Sequence, residues 1–299
     1  MTDFSNIQTA VALGTFDGLH KGHISVINKA VAQKCNGLTP VIVLFSSHPL
    51  KVLTGNAPKE LFSGSIKERE ILKTGCIPYT VSFEEIRNMT PEQFVKNVLI
   101  DKLNAKYISC GFNFHFGKNG LGNTDILSTL CEKYNLTLEI ANEVDFDKEC
   151  ISSTRIRKAI ENGEIETANK MLSRNFSYNF EVVGGDHRGR VLGFPTINQY
   201  FPDTFIVPKY GVYASMTNIK NKWYPSMTNI GIRPTIGNSK PRSETCILGF
   251  SGDLYGTNTE VALLSYLRSE KKFENLDKLT EQMEKDSKNA IIIFKGEKR

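Results

Sequence analysis

Up to about residue 173 short apolar runs alternate with amphipathic helical stretches, and from Phe176 onward the alternation stops. The runs at residues 10–13, 41–45, 79–83, 106–110 and 136–141 have the length of buried strands. Helix starts stand between them. Ser65 and Glu68 have capping-box spacing, Thr90 precedes Pro91, and Asn123, Thr124 and Asp125 open a stretch that continues to Glu132. Strands alternating with helices predict a parallel sheet covered on both faces, with ligands at the carboxyl ends of its strands. Beyond Phe176, strand-like runs at 178–183, 211–216, 245–250 and 259–267 are separated by Gly, Pro and Asn turns, and only 276–290 reads as a helix. That rhythm predicts an antiparallel barrel or sandwich with one terminal helix. The boundary falls between 173 and 176, after a helical segment at 155–172, giving domains 1–174 and 175–299. Each is large enough for its own core.

Composition narrows the function classes. With 40% hydrophobic and 23% charged residues the chain is of the soluble globular type. A net charge of +5 over 299 residues is mild, and no block of Lys and Arg marks a nucleic-acid partner; 295–299 reads as a solvated basic tail. The six cysteines (Cys35, Cys76, Cys110, Cys131, Cys150, Cys246) form no Cys-x-x-Cys pair, which argues against zinc ribbons, redox motifs and a disulfide scaffold. The first eight residues lack the features of a signal peptide, and no apolar run approaches the ~20 residues that cross a bilayer. The expectation is a cytoplasmic protein without membrane or nucleic-acid partners, monomeric or weakly homo-oligomeric.

Residues 14–23 read Gly-Thr-Phe-Asp-Gly-Leu-His-Lys-Gly-His, between the run at 10–13 and a helical face of Ile24, Val26, Ile27, Ala30 and Val31. A strand, a glycine turn and a helix bring a polyphosphate against free backbone N–H groups. His20, Lys21 and His23 sit at the start of that helix. As cations each would oppose the macrodipole by roughly 0.3–1 kcal/mol, so the pattern predicts an anion there. Residues 151–157, Ile-Ser-Ser-Thr-Arg-Ile-Arg, repeat the theme: Ser153 or Thr154 is the expected N-cap, and Arg155 and Arg157 fall in the first turn, suited to the β- and γ-phosphates of ATP. His48 follows the run at 41–45 and His115 the run at 106–110, so three strand ends carry histidines that could meet in one cleft. Taken singly, His20 and His23 also fit metal ligands or ordinary surface residues, and Ser-Ser-Thr-Arg an ordinary helix start.

Together, Gly-x-Phe-Asp-Gly-x-His-x-Gly-His and Ile-Ser-Ser-Thr-x-Ile-Arg resemble the adenylyltransferase domain of bacterial bifunctional riboflavin kinase/FAD synthetases, within the wider His-x-Gly-His nucleotidyltransferases of Rossmann-like α/β fold. The resemblance implies that Gly14, Phe16, Asp17, His20, Gly22, His23, Ser153, Thr154, Arg155 and Arg157 bind ATP. His20 and His23 would stabilise charge on the phosphates as FMN attacks, and Arg155 and Arg157 would clamp pyrophosphate. His48 and Asn113 would lie at the flavin. Two departures touch substrate contacts: Ser46 and Ser47 replace the family's common Asp-Pro, and His115 its common arginine.

The second half carries Gly-Gly-Asp-His-Arg-Gly-Arg-Val-Leu-Gly-Phe-Pro-Thr-Ile-Asn at 184–198. Gly184 and Gly189 imitate P-loop spacing, but Arg190 and Val191 replace Lys-Ser/Thr and Pro195 follows instead of a helix. Thr196 and Asn198, two apart, share one face of an extended segment and offer hard oxygens to Mg²⁺. Glu244, read as lying just before a strand, could accept a hydroxyl proton. With Tyr-Gly-Val-Tyr at 210–213, Asn-Ile-Gly-Ile-Arg-Pro-Thr at 229–235, Asp-Leu-Tyr-Gly at 253–256 and Arg-Ser-Glu-Lys-Lys-Phe at 268–273, the segment is similar to the riboflavin kinase domain of the same enzymes. Ser269 replaces the usual proline, and Cys246 and Gly249 replace a common His and Asp. The resemblance implies a six-stranded barrel, Mg·ATP held by Gly185, Arg190, Thr196 and Asn198, Glu244 as base on the riboflavin 5′-hydroxyl, and Glu244 and Arg268 at the flavin. It implies phosphorylation of riboflavin to FMN and adenylylation of FMN to FAD, with Mg²⁺ as cofactor and ATP as co-substrate. The competing reading is an adenylyltransferase for another phosphorylated small molecule, the barrel serving only to bind or regulate.

Overall fold

In the computed structural model, which describes residues 3–185, 193–232 and 240–297, strand β1 (Thr9–Leu13) is buried along its whole length. That is the signature of a strand covered on both faces. After it come α1 (Lys21–Ala32), β2 (Thr39–Phe45), α2 (Pro49–Thr54), α3 (Gly64–Lys73), β3 (Ile77–Val81), α4 (Phe83–Ile86), α5 (Pro91–Phe94), β4 (Ala105–Gly111), α6 (Thr124–Lys133) and β5 (Thr137–Ala141). The strands pair in parallel in the order β3-β2-β1-β4-β5, so the order reverses between β1 and β4. There Leu13 lies opposite Cys110, and the two chains leave the sheet side by side. The Ser109 hydroxyl donates to Val26 O at 2.9 Å and pins α1 beside this reversal. A two-residue hairpin, β6 (Asp145–Phe146) with β7 (Glu149–Cys150), ends this part.

Local signals behaved unevenly. Thr90 and Gln93 form both arms of a capping box at α5, and Asn123 Oδ1 caps α6 by accepting from Ile126 N at 2.9 Å. Ser65 is no cap: α3 has already begun at Gly64, and the Ser65 hydroxyl is taken by Asn179 Nδ2 at 2.9 Å. The strand expected at 79–83 sits two residues earlier, because Phe83 opens α4.

By compactness the chain divides into Met1–Pro58 with Lys67–Ser152, and Lys59–Ile66 with Ser153–Arg299. The second unit opens with α7 (Ser153–Asn162) and α8 (Ile165–Leu172), two helices rather than one, because Gly163 turns left-handed between them at φ 81°. Then follow β8 (Ser177–Glu181), β9 (Thr196–Tyr200), β10 (Gly211–Ile219), β11 (Lys222–Gly231), β12 (Arg242–Ile247), β13 (Asn258–Arg268) and α9 (Leu276–Gly296). The six strands form one antiparallel sheet in the order β8-β13-β10-β11-β12-β9. A bridge between Val183 and Asn198 brings the segments at its two edges together, so the sheet curls into a near-closed barrel. Residues 59–66 belong here through a bridge from Glu60 to Phe205 and the burial of Leu61 and Ile66.

On the outer face Ala214, Met227, Cys246 and Leu264 pack with Ala290 and Phe294 of α9. Alternation then turns Ser215, Thr217, Ser226, Thr228, Ser243 and Thr245 inward, and all six are buried. Five of them satisfy one another across strands, Ser215 with Thr228 at 2.8 Å, Thr228 with Thr245 at 2.9 Å and Thr217 with Ser226 at 2.8 Å, while the Ser243 hydroxyl is buried without a partner among the described residues. An interior of hydroxyls inverts the usual pattern of apolar-in, polar-out. That inversion, together with Pro225 in mid-strand, hides β11 from a reading of hydrophobic alternation. It also displaces β12: the strand expected at 245–250 runs Arg242–Ile247, so Glu244 lies within it and not ahead of it.

Candidate active sites

At the reversal between β1 and β4 the chain turns sharply into α1, with Phe16, Gly18 and Leu19 all at positive φ. Phe16 and Leu19 are buried, so packing holds these unfavourable conformations. The turn delivers His20 to the N-cap of α1, where its Nδ1 accepts from His23 N at 3.4 Å. The rings of His20 and His23 stack with centroids 3.7 Å apart, and Phe16 meets His23 edge-on at 5.5 Å. Gly22 permits the stack, since a Cβ there would fall 3.2 Å from the His20 ring.

Burial lowers the His20 imidazole from its ordinary 6.5 to about 4. Burial, and then the neighbouring His20, holds His23 well below 6.5. This corrects the expectation of histidine cations opposing the helix dipole: near neutrality both rings are uncharged, and only Lys21 bears that cost. Because Nδ1 of His20 accepts, its proton sits on Nε2, as a donor. His23 Nδ1 is buried and has no protein partner, an unusual state for a polar atom inside a fold.

Of the other predicted residues, Gly14, Asp17, His48 and Asn113 lie at the carboxyl edge of this sheet, while Ser153, Thr154, Arg155 and Arg157 belong to the second unit. His48 follows β2 and caps α2, its Nδ1 accepting from Leu50 N at 3.2 Å. Asn113 is exposed just past β4, and its carbonyl lies 3.0 Å from His115 Nδ1. Phe114 and Phe116 stack beneath that loop at 5.5 Å. Gly14 and Asp17 belong to the turn before α1. Helix α7 begins at Ser153, so the cap position falls on Ser152 and not on Ser153 or Thr154. Arg155 and Arg157 lie in its first turns, half-buried, with Arg157 Nε donating to Lys59 O at 2.7 Å.

In the barrel, Glu244 of β12 pairs directly with Asn198 of β9 on one side and Asn229 of β11 on the other. These three polar side chains form a row across the outer face, and Thr196 projects from the same face of β9. In the sequence Asn229 stands only as the first residue of a family motif, without a role; strand register places it beside Glu244. Its Nδ2 donates to Glu270 Oε1 at 2.9 Å, while its Oδ1 is buried without a protein partner. Gly185 packs against the row so closely that a Cβ there would lie 2.8 Å from Asn198 Cγ. Arg268 donates through Nε and Nη2 to Asp286 of α9, at 2.9 and 2.7 Å, and Asp286 is only 3% exposed. Arg190 lies outside the described residues.

Residues 3–155 match the FAD synthetase family and residues 172–294 the riboflavin kinase family. The chain belongs to the bifunctional riboflavin kinase/FMN adenylyltransferase family. A member from Bacillus subtilis (strain 168) is 36% identical over 298 residues, covering 96% of this chain and 93% of its own. A second, from Listeria monocytogenes, is 34% identical, covering 98% and 94%. A solved structure described as a macrolide-efflux protein from Streptococcus pneumoniae is 30% identical, with a TM-score of 0.87 over 96% of this chain and 94% of that one. Among the described residues here, no helix is long and apolar enough to cross a membrane.

Membership in this bifunctional family makes the chain a kinase and a nucleotidyltransferase that use ATP. The donor set suits the metal such reactions use. Thr196 offers a hydroxyl and Asn198, 6% exposed, an amide oxygen, both hard ligands that Mg²⁺ accepts beside phosphate oxygens. Among the described residues a cluster of another kind, Glu143, Asp145 and Cys150, is largely exposed and precedes the 151–157 segment.

Proposed function

We propose that residues 175–299 phosphorylate riboflavin to FMN and that residues 1–174 adenylylate FMN to FAD, each with Mg·ATP. The observation that carries this reading is that the two family signatures occupy one chain in order, over 3–155 and 172–294.

In the kinase step the Glu244 carboxylate takes the proton of the riboflavin 5′-hydroxyl as that oxygen bonds to the γ-phosphorus; the bond to the β-bridging oxygen breaks and ADP leaves. Thr196 and Asn198 would hold Mg²⁺, which neutralises charge on the phosphates, with Gly185 and Arg190 beside the nucleotide. Arg268 would border the flavin. In the second step a phosphate oxygen of FMN bonds to the α-phosphorus of ATP, and pyrophosphate departs. His20 donates from Nε2 to the phosphates, His23 supports it, and the first N–H groups of α1 face the same anion. Arg155 and Arg157, with Ser153 and Thr154, would receive the β- and γ-phosphates, and His48 and Asn113 the flavin. Charge neutralisation at the α1 end explains why the neutral, water-poor histidine pair suits the site: a proton taken up there is driven by the incoming anion.

The six cysteines, all free, fit a reducing cytoplasm, and we take the working form as a monomer or weak homo-oligomer. The test is incubation with riboflavin, ATP and Mg²⁺, separating FMN and FAD over time. His23→Ala should lower FAD formation by ~10²-fold or more while sparing FMN formation. Glu244→Gln should lower FMN formation by ~10²–10⁴-fold while sparing adenylylation of supplied FMN. Either variant abolishing both activities in a folded protein would refute the two-site reading.

A further inference from the structure

Glu244 has a neighbour on its own strand. Arg242 is two residues earlier on β12, hence on the same outer face, and its Nη2 donates to Glu244 Oε1 at 2.7 Å. Neither side chain is a loose surface group, since Arg242 is 12% and Glu244 19% exposed. The Arg242 Nε–H is buried with no protein partner, and across the row the Asn229 Oδ1 is in the same state. Unsatisfied polar atoms therefore flank the carboxylate on both sides. Such atoms are rare in a finished interior and common where a ligand completes the bonding.

We propose that Arg242 is a positioning residue of the kinase reaction, holding Glu244 by one carboxylate oxygen so that the group meets the riboflavin 5′-hydroxyl in a fixed orientation. The inference rests on the reading of Glu244 as the base. A charge-assisted bond from a rigid guanidinium is short, strong and directional, and it removes the rotation that a glutamate side chain otherwise keeps. The pair is also cheap to build. Both residues project from one extended strand, so the contact follows from the backbone of β12 and needs no distant element. Arg242 transfers nothing itself: the proton passes from the 5′-hydroxyl to Glu244, the oxygen–phosphorus bond forms at the γ-phosphate, and ADP carries away the electrons of the broken bond.

The full-length chain tests this through a double-mutant cycle, Arg242→Met, Arg242→Lys, Glu244→Gln and the two combinations, with kcat and KM for FMN formation. Arg242→Met should lower kcat by about tenfold to a hundredfold, with KM for Mg·ATP and for riboflavin each changed by less than about threefold. Arg242→Lys, which keeps the charge but loses the fork, should fall between. In the Glu244→Gln background either change at Arg242 should cost less than about twofold, because a positioning residue acts on the reaction through the missing carboxylate. Trp223 emission and the rate of FAD formation from supplied FMN report the fold. If Arg242→Met disturbs them, the cycle with Arg242→Lys decides alone. Losses that add in full across the cycle, or that appear in KM for Mg·ATP, would overturn the inference, as would an unchanged kcat. An active Glu244→Gln enzyme would remove the base reading itself and this inference with it. An inactive one beside a wild-type rate in Arg242→Met would remove the inference alone.

Discussion

Acid should weaken the first unit through His20, by an amount that burial sets. An imidazole in the unfolded chain takes a proton as pH falls through about 6.5, whereas in the fold it resists until about 4. The unfolded state therefore binds the extra proton across that window. The penalty is absent above 6.5, grows as pH falls, and is complete only below 4. Between pH 7 and pH 5 the linkage relation gives about 2 kcal/mol from His20 alone. His23 is shifted the same way, so the true loss is larger. The perturbation is His20→Asn, which leaves an N-cap of equal or better quality on α1 and nothing to titrate. Thermal unfolding followed by far-UV circular dichroism at pH 7 and pH 5 is the assay. The sole tryptophan, Trp223, lies in β11, so its fluorescence follows the second unit separately. For a unit of this size the wild type should lose roughly 4–8 °C more than His20→Asn over that interval. Losses common to both proteins, from other titrating groups, cancel in the comparison. Equal losses would refute the reasoning, because they would mean that the His20 ring takes its proton without cost inside the fold.

Two further outcomes follow from particular contacts. Gly185→Ala should raise KM for Mg·ATP in FMN formation by about tenfold, since the new Cβ displaces the Asn198 side chain, at a cost near 1.4 kcal/mol; steady-state kinetics on riboflavin checks it. Asp286→Ala should destabilise the barrel by about 3 kcal/mol, because it strands the Arg268 guanidinium beneath α9; urea unfolding read by Trp223 checks it.

The first site was legible because local sequence builds it. The glycine turn, the strand before it and the helix after it are contiguous, so His20 and His23 follow from the order of residues along one short stretch. Their charge state was not legible. Titration depends on how much protein surrounds a ring, and Phe16 and the stacked partner supply that only after folding. The barrel shows the opposite difficulty. Thr196 and Asn198 share one face by the period of a strand, but Glu244 falls ahead of the strand expected at 245–250, because the polar Ser243 and Thr245 give no apolar alternation. They point into a hydroxyl-lined interior instead.

Chain order alone determined the two architectures, the glycine turn that presents His20 and His23, and the family to which both halves belong, since each of these rests on periodicity or on contiguous motifs. Tertiary structure alone decided that the histidines are neutral, that Glu244 stands in a row between Asn198 and Asn229, and that Arg242 grips it. The reason is one of range: periodicity is a property of neighbours along the chain, whereas desolvation and cross-strand register exist only once distant segments have been brought side by side.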